Sequence, residues 1–282
     1  MERNGTVALI EVKDLAFWYK DGTQALQGLS LRIPRGKKAA ILGPNGAGKS
    51  TLLLHLNGIH LAQEGSVLFD GELISSKNER WIRSKVGLVF QDPDDQVFST
   101  TVWEDVAFGP TNMGLAKAEI AKRVHDSLVA VGMLAHKDKA PHHLSYGQKK
   151  RVAIAGVLAM DPEVIILDEP VAFLDPQGKD SVFSILDELN QKGTTIVIAT
   201  HDVDLAVEWV DEIIIIKDGR CLAQGGTELL TDESIVAEAQ LRFPIITKVF
   251  RQLPEMNLRS LPQTVAEAVQ VIRQLGKGGG RV

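Results

Sequence analysis

The stretch Gly43-Pro44-Asn45-Gly46-Ala47-Gly48-Lys49-Ser50-Thr51 decides how the rest of the chain is read. It carries the pattern G-x-x-x-x-G-K-S. Glycines there let backbone N–H groups converge on phosphate oxygens, and the helix that follows turns its positive N-terminal end toward the same point. Lys49 is placed to reach terminal phosphates and Ser50 to bind magnesium. The flanks agree. Ala39-Ala-Ile-Leu42 is a short apolar run of the buried-strand kind, and the leucines within residues 50–56 suit a partly buried helix.

Working outward, residues 7–42 hold β-rich runs broken by turn signals at Lys20-Asp21-Gly22 and Pro34-Arg35-Gly36, which predicts a small N-terminal antiparallel sheet. Further buried strands are predicted at residues 86–90, 164–167, 195–199 and 213–216, with helical segments between several of them. That alternation predicts an α/β fold with a largely parallel sheet. Residues 92–160 are strand-poor and predict an inserted helical subdomain, with helices near 117–131 and 148–160. A polar, helix-like tail follows residue 226 and ends in Gly276-Lys277-Gly278-Gly279-Gly280-Arg281-Val282, a composition that frays. The expected division is one nucleotide-binding unit over residues 1–226 and a C-terminal extension over 227–282.

The bulk properties narrow the partners. The 282 residues are 44% hydrophobic and 24% charged, an ordinary globular balance, and a net charge of -5 gives no electrostatic reason to expect nucleic acid. The single cysteine, Cys221, has no internal disulfide partner, fits a reducing compartment, and reads as a buried apolar residue. The opening Met1-Glu-Arg-Asn-Gly5 has no signal-peptide apolar region, and the run Ile213-Ile-Ile-Ile216 is too short to cross a bilayer. Any membrane role is therefore expected to need separate membrane-spanning partners.

A second chemical centre lies at Val164-Ile-Ile-Leu-Asp168-Glu169-Pro170, where an apolar strand ends in two acids. Open α/β sheets bind ligands at that edge. Asp168 is placed to orient magnesium through water, and Glu169 to polarise an attacking water as general base; a solvated acidic turn is the alternative. A phosphate loop and an acidic strand end are common to kinases, GTPases and helicases. The segment Leu144-Ser145-Tyr146-Gly147-Gln148-Lys149-Lys150-Arg151 separates them. Ser and Gly ahead of a helical stretch make a second anion-binding helix end, or simply a helix cap.

That segment resembles the signature LSGGQ of ABC transporter ATPases, with Tyr146 where the family most often has glycine. The resemblance implies a P-loop NTPase core with an inserted helical signature subdomain, and it implies ATP with Mg2+ as ligands. It also implies that two chains pair head to tail, each ATP held between Lys49 of one and Ser145, Gly147 and Gln148 of the other. Four further positions match. Gln91 resembles the lid glutamine that meets magnesium and attacking water, and His201 the switch histidine at the γ-phosphate. Asp175, in Ala172-Phe-Leu-Asp175-Pro176, resembles the inter-subunit loop, and Tyr19 the aromatic that stacks on adenine. Structural readings compete for each: a polar strand end for Gln91, a structural histidine for His201, a helix N-cap for Asp175 and strand packing for Tyr19. His142 and His143 lack a nearby third metal ligand, and Lys149-Lys150-Arg151 reads as a solvated helix face.

Within that family, residues 90–98 and 149–155 look like the ATPase subunits of energy-coupling-factor importers, particularly the cobalt and nickel type. Leu241-Arg-Phe-Pro244 and Leu261-Pro-Gln-Thr-Val-Ala-Glu-Ala268 resemble their C-terminal extension. The resemblance implies a peripheral subunit on the cytoplasmic face of the membrane. It would work with an integral membrane scaffold and a substrate-binding membrane subunit, and Asp94, Asp95 and Gln96 are candidates for transmitting nucleotide state. Cobalt is the expected cargo, with nickel or a vitamin as alternatives. A soluble, non-transport ABC ATPase or a phosphate-loop kinase is a more distant reading.

Overall fold

The computed structural model describes residues 8–278. The opening residues read for a signal peptide and the last residues of the glycine-rich end lie partly or wholly outside that range. Strands β1 (Ala8–Trp18) and β2 (Gln24–Pro34) form a long antiparallel hairpin. Leu29, Leu31 and Ile33 are buried while their neighbours face outward, the period-two pattern of a sheet wetted on one side. β4 (Glu64–Phe69) and β5 (Glu72–Leu73) complete this sheet in the order β2-β1-β4-β5.

The second sheet has the order β10-β9-β3-β8-β7-β6. Its members are β3 (Lys38–Leu42), β6 (Val86–Val89), β7 (Val164–Asp168), β8 (Thr195–Thr200), β9 (Glu212–Lys217) and β10 (Arg220–Gly225). All neighbours are parallel except β9 and β10. Alternate residues enter opposite cores: Ile165, Leu167, Ile213 and Ile215 pack on one face, Val164, Ile166, Ile214 and Ile216 on the other. Burial on both faces is why these strands read as continuous apolar runs. The first face is covered by α3 (Val102–Asn112), α4 (Lys117–Ala130), α5 (Tyr146–Leu158), α6 (Pro176–Gln191) and α7 (Val203–Trp209), the second by α1 (Lys49–Leu56), α2 (Glu79–Lys85) and the antiparallel sheet.

Two features bind the layers. Arg35, in the turn entering β3, donates to Asp70 at the β4–β5 turn and to Glu163 ahead of β7, both at 2.8 Å, and Lys85 reaches Glu163 at 3.0 Å. The tail folds back as α8 (Glu233–Glu238), α9 (Ile245–Arg251) and α10 (Val265–Gly278). It is tied down where Gln263 Nε2 donates to the Thr227 carbonyl at 2.9 Å and the Ile245 amide to Asp204 Oδ1 at 2.6 Å.

The structure differs from expectation in a few places. α5 begins at Tyr146, ahead of residue 148, because Ser145 and Gln148 close a capping box. α10 runs on through Gly278, and only residues 279–282 of the expected frayed end lie outside the described range. Cys221 is half-buried rather than buried, and burial pushes its thiol pKa up. Among the described residues, no helix is long and apolar enough to cross a membrane.

Candidate nucleotide-binding site

The parallel register brings separate strand ends to one edge. Leu42 pairs with Thr200, Ala199 with Asp168, and Leu167 with Val89. The residues that follow these strands, Gly43, His201, Glu169 and Gln91, therefore gather along the C-terminal edge of the sheet, where α/β folds bind ligands.

The phosphate loop occupies the β3–α1 turn. A Cβ on Gly43 would stand 2.2 Å from the Ile216 carbonyl oxygen, and Gly48 has φ +99 with the Ala25 carbonyl 2.7 Å from where its Cβ would be. Both positions exclude a side chain, which keeps the loop backbone close to its neighbours. No side chain caps α1, so its first-turn N–H groups are left for an anion. Lys49 is buried and donates to the carbonyls of Gly43 and Pro44, at 2.7 and 3.0 Å. Burial lowers its pKa, against the opposing charges of Glu169 and Asp168. An ammonium partly stripped of water and held by two carbonyls is disposed to pair with phosphate.

Asp168 ends β7. Burial pushes its pKa up, while a hydrogen bond from Ser50 pulls it down. Glu169 adopts φ +42, a left-handed conformation that costs of order 1–3 kcal/mol in a non-glycine residue. Three contacts hold it there. Its amide donates to the Ala199 carbonyl at 2.9 Å, Thr200 Oγ1 donates to Oε2 at 3.1 Å, and His201 Nδ1 meets Oε1 at 2.7 Å. The strained backbone turns the carboxylate, itself largely shielded, toward the exposed His201 ring.

Tyr19 sits at the mouth, half-exposed, its hydroxyl 2.8 Å from Thr51 Oγ1 and its ring edge-on to Phe17 at 5.2 Å. Phe17 enters the core beside His55 and His60, so strand packing is served by that ring. Asp175 is exposed and caps α6 through the Gly178 amide at 2.7 Å. Ser145 and Gln148 bond to each other across the first turn of α5, and Ser145 stays exposed. Gly147 packs toward Leu174 in the loop before Asp175. The helix-cap readings of Ser145 and Asp175 thus hold locally.

Gln91 is exposed, but its backbone is not free. Its carbonyl accepts from Tyr146 Oη at 3.0 Å and from Lys150 Nζ at 2.9 Å. This corrects the reading of Lys149-Lys150-Arg151 as a solvated face. Lys150 is fully buried, and burial lowers its pKa to about 8. Lys149 pairs with Asp94 at 2.5 Å, and Arg151 reaches toward the Val131 carbonyl. Sequence reading missed Lys150 and Thr200. The four-residue spacing of Tyr146 and Lys150 sets both on one helix face, but nothing in the sequence marks that face as the buried one.

A phosphate loop, a strained acid–histidine pair and a second helix end exposed on another element are the parts of a phosphate-loop nucleotide hydrolase. Residues 26–172 match the ABC transporter family model. An energy-coupling factor transporter ATP-binding protein of Carboxydothermus hydrogenoformans is 49% identical over 265 residues, 94% of this chain and 97% of the relative. Among solved structures, cbiO1 from Clostridium perfringens, described as part of a cbiONQ complex, superposes with TM-score 0.73 at 45% identity, covering 88% of this chain and 97% of that one. The cassette MJ0796, solved as a dimer bound to ADP and Pi, gives 0.71 at 30% identity over 77% of this chain and 98% of its own. The chain belongs to the ABC transporter family as an ATP-hydrolysing subunit, in the group of energy-coupling factor ATP-binding proteins.

Proposed function

We propose that two copies of this chain pair head to tail around two ATP molecules and that closure of the pair drives a membrane importer of cobalt. The observation that carries the pairing is the placement of Ser145. It stands exposed at the N-terminus of α5 and makes its hydrogen bonds within its own helix turn, leaving the face beyond it open. The relative solved as a dimer supports the same arrangement.

In this reading residues 43–51 wrap the phosphates of one ATP, Tyr19 stacks on its base, and Ser145, Gly147, Gln148 and Asp175 of the opposite copy close over it. Ser50, Gln91 and Asp168, the last through water, would hold magnesium. All present oxygen, which suits a hard cation, and Asp168 is a half-buried carboxylate whose pKa burial raises against the pull of Ser50, so a cation beside it would favour its charged form. Such an ion supplies charge neutralisation at the phosphates. Glu169 accepts a proton from the attacking water, and His201, anchored on Oε1, orients the carboxylate and faces the γ-phosphate. Residues 1–226 form the working unit, with 92–160 moving as its helical part and 227–282 as an extension.

The membrane side is supported by a cleft of about 880 Å³ bounded by Trp81, Arg83, Gln96, Phe98, Phe108 and Met160. Phe98 and Phe108 are exposed and stand edge-to-face at 5.1 Å, an apolar surface suited to a partner helix. Docking of an integral membrane scaffold there would make the chain peripheral to the cytoplasmic face. Cobalt as cargo rests on the resemblance of residues 90–98 and 149–155 to the cobalt and nickel type and on the likeness to a cassette from a cbiONQ complex. Uptake of labelled cobalt, nickel and vitamins by cells carrying Lys49→Ala in this subunit tests the cargo. Loss of cobalt uptake alone is expected; intact cobalt uptake with loss of another cargo would overturn the cobalt assignment.

A further inference from the structure

The loop after β6 is fastened to the first turns of α5 by side chains that the hydrolytic chemistry leaves unused. Tyr146 Oη donates to the Gln91 carbonyl at 3.0 Å. One helical turn later, Lys150 Nζ donates to the same carbonyl at 2.9 Å and to that of Phe90 at 2.8 Å. Lys149 pairs with Asp94 further along the loop. The loop is also braced internally: Gln96 Oε1 accepts from the Phe90 amide at 3.0 Å, and its amide nitrogen donates to the Leu88 carbonyl at 3.2 Å. Gln91 thus has a pinned backbone carbonyl and an exposed side chain. On its other side the Tyr146 ring stands edge-on to Phe173 at 5.7 Å, and Phe173 is 79% exposed with φ +61. Phe173 belongs to the loop that joins Glu169 to Asp175. The first turn of α5 therefore touches both flanks of its own chain's hydrolytic edge.

We infer that Tyr146 and Lys150 are positioning residues that strap Gln91 to the helix bearing Ser145, so that Gln91 and Ser145 shift together as one body. The coupling half of this inference rests on the head-to-tail pairing proposed above. In that pair Gln91 serves the chain's own ATP and Ser145 the other, so a strap between them makes the state of one site felt at the second. A glycine at residue 146 would leave the Gln91 carbonyl with Lys150 alone, which gives Tyr146 a specific task.

Two measurements on the full-length chain test it. Amide hydrogen exchange in the nucleotide-free chain should become roughly tenfold faster across residues 91–97 in Tyr146→Phe, which removes only the hydroxyl, and in Lys150→Met, the loss expected for one hydrogen bond. Lys150→Arg, which keeps a donor, should restore much of the protection. Steady-state hydrolysis should show kcat falling roughly tenfold for Tyr146→Phe with KM for ATP within about twofold of wild type, and the Hill coefficient dropping toward 1. Unchanged exchange in both variants would overturn the strap. Faster exchange with unchanged kcat and Hill coefficient, or a lowered unfolding midpoint alone, would reduce it to ordinary packing and overturn the coupling. Wild-type hydrolysis independent of chain concentration would overturn the pair and with it the cross-site claim, while exchange would still judge the strap.

Discussion

Glu169 shows what a single residue contributes. Its left-handed backbone is unfavourable by itself, and it persists because Ala199, Thr200 and His201 hold three of its groups. If it is the general base, Glu169→Gln keeps the shape and loses the proton acceptor. Hydrolysis measured by phosphate release should slow about a hundredfold or more, while ATP affinity measured by equilibrium titration stays within about threefold. Wild-type turnover in that variant would remove Glu169 from the role. The acid pair is legible in the sequence because a buried strand that stops abruptly at Asp168-Glu169, downstream of a phosphate loop, puts two carboxylates at the ligand-binding edge of a parallel sheet. Lys150 is not, because a lysine in a basic run ordinarily faces water. Only tertiary structure reveals that two backbone carbonyls, Phe90 and Gln91, lie within reach of its ammonium.

At the scale of elements, the strands of the parallel sheet can be read directly, because burial on both faces requires unbroken apolar runs. The hairpins β4–β5 and β9–β10 are absent from the predicted elements although each carries the strongest short hairpin signal, Asp70-Gly71 and Asp218-Gly219, with all four residues at positive φ. Their outer strands are short or polar, Glu72–Leu73 and Arg220–Gly225, and composition conceals what the turns announce. The predicted start of α5 falls too late because its true start is fixed by the Ser145–Gln148 capping box, a side-chain device rather than an apolar period. Ser145→Ala should cost about 1 kcal/mol of stability through the lost cap, read as a lowered denaturation midpoint. If Ser145 also meets the other copy's nucleotide, kcat/KM for ATP should fall by more than that destabilisation accounts for. A fall in stability with unchanged kcat/KM would leave it a cap and nothing more.

At the scale of the whole molecule, the two sheets are joined by the Arg35–Glu163–Lys85 network with Asp70. Hydrogen bonding from Arg35, aided by Lys85, holds the Glu163 carboxyl below its ordinary 4.5. A carboxylate depressed in the folded state contributes stability above its unfolded pKa and loses it as pH falls through the lowered value. Glu163→Gln should therefore be less stable than wild type at pH 7, by no more than about 1 kcal/mol because the pair is partly solvated, and the two should converge as pH falls through the lowered pKa of Glu163. A difference that persisted at low pH would place the effect in packing instead of charge. The tail's fold-back onto Asp204 and Thr227 is not readable in the sequence, since the contacts join residues about forty apart through single polar bonds.

Whether a second copy completes the site around the phosphate loop at residues 43–51 is tested most directly by sedimentation velocity of the full-length Glu169→Gln chain. With ATP and magnesium the chain should sediment as a dimer, with ADP as a monomer, and adding Ser145→Arg should abolish the ATP-dependent dimer without abolishing ATP binding. A Glu169→Gln chain that binds ATP and remains monomeric throughout would contradict the account.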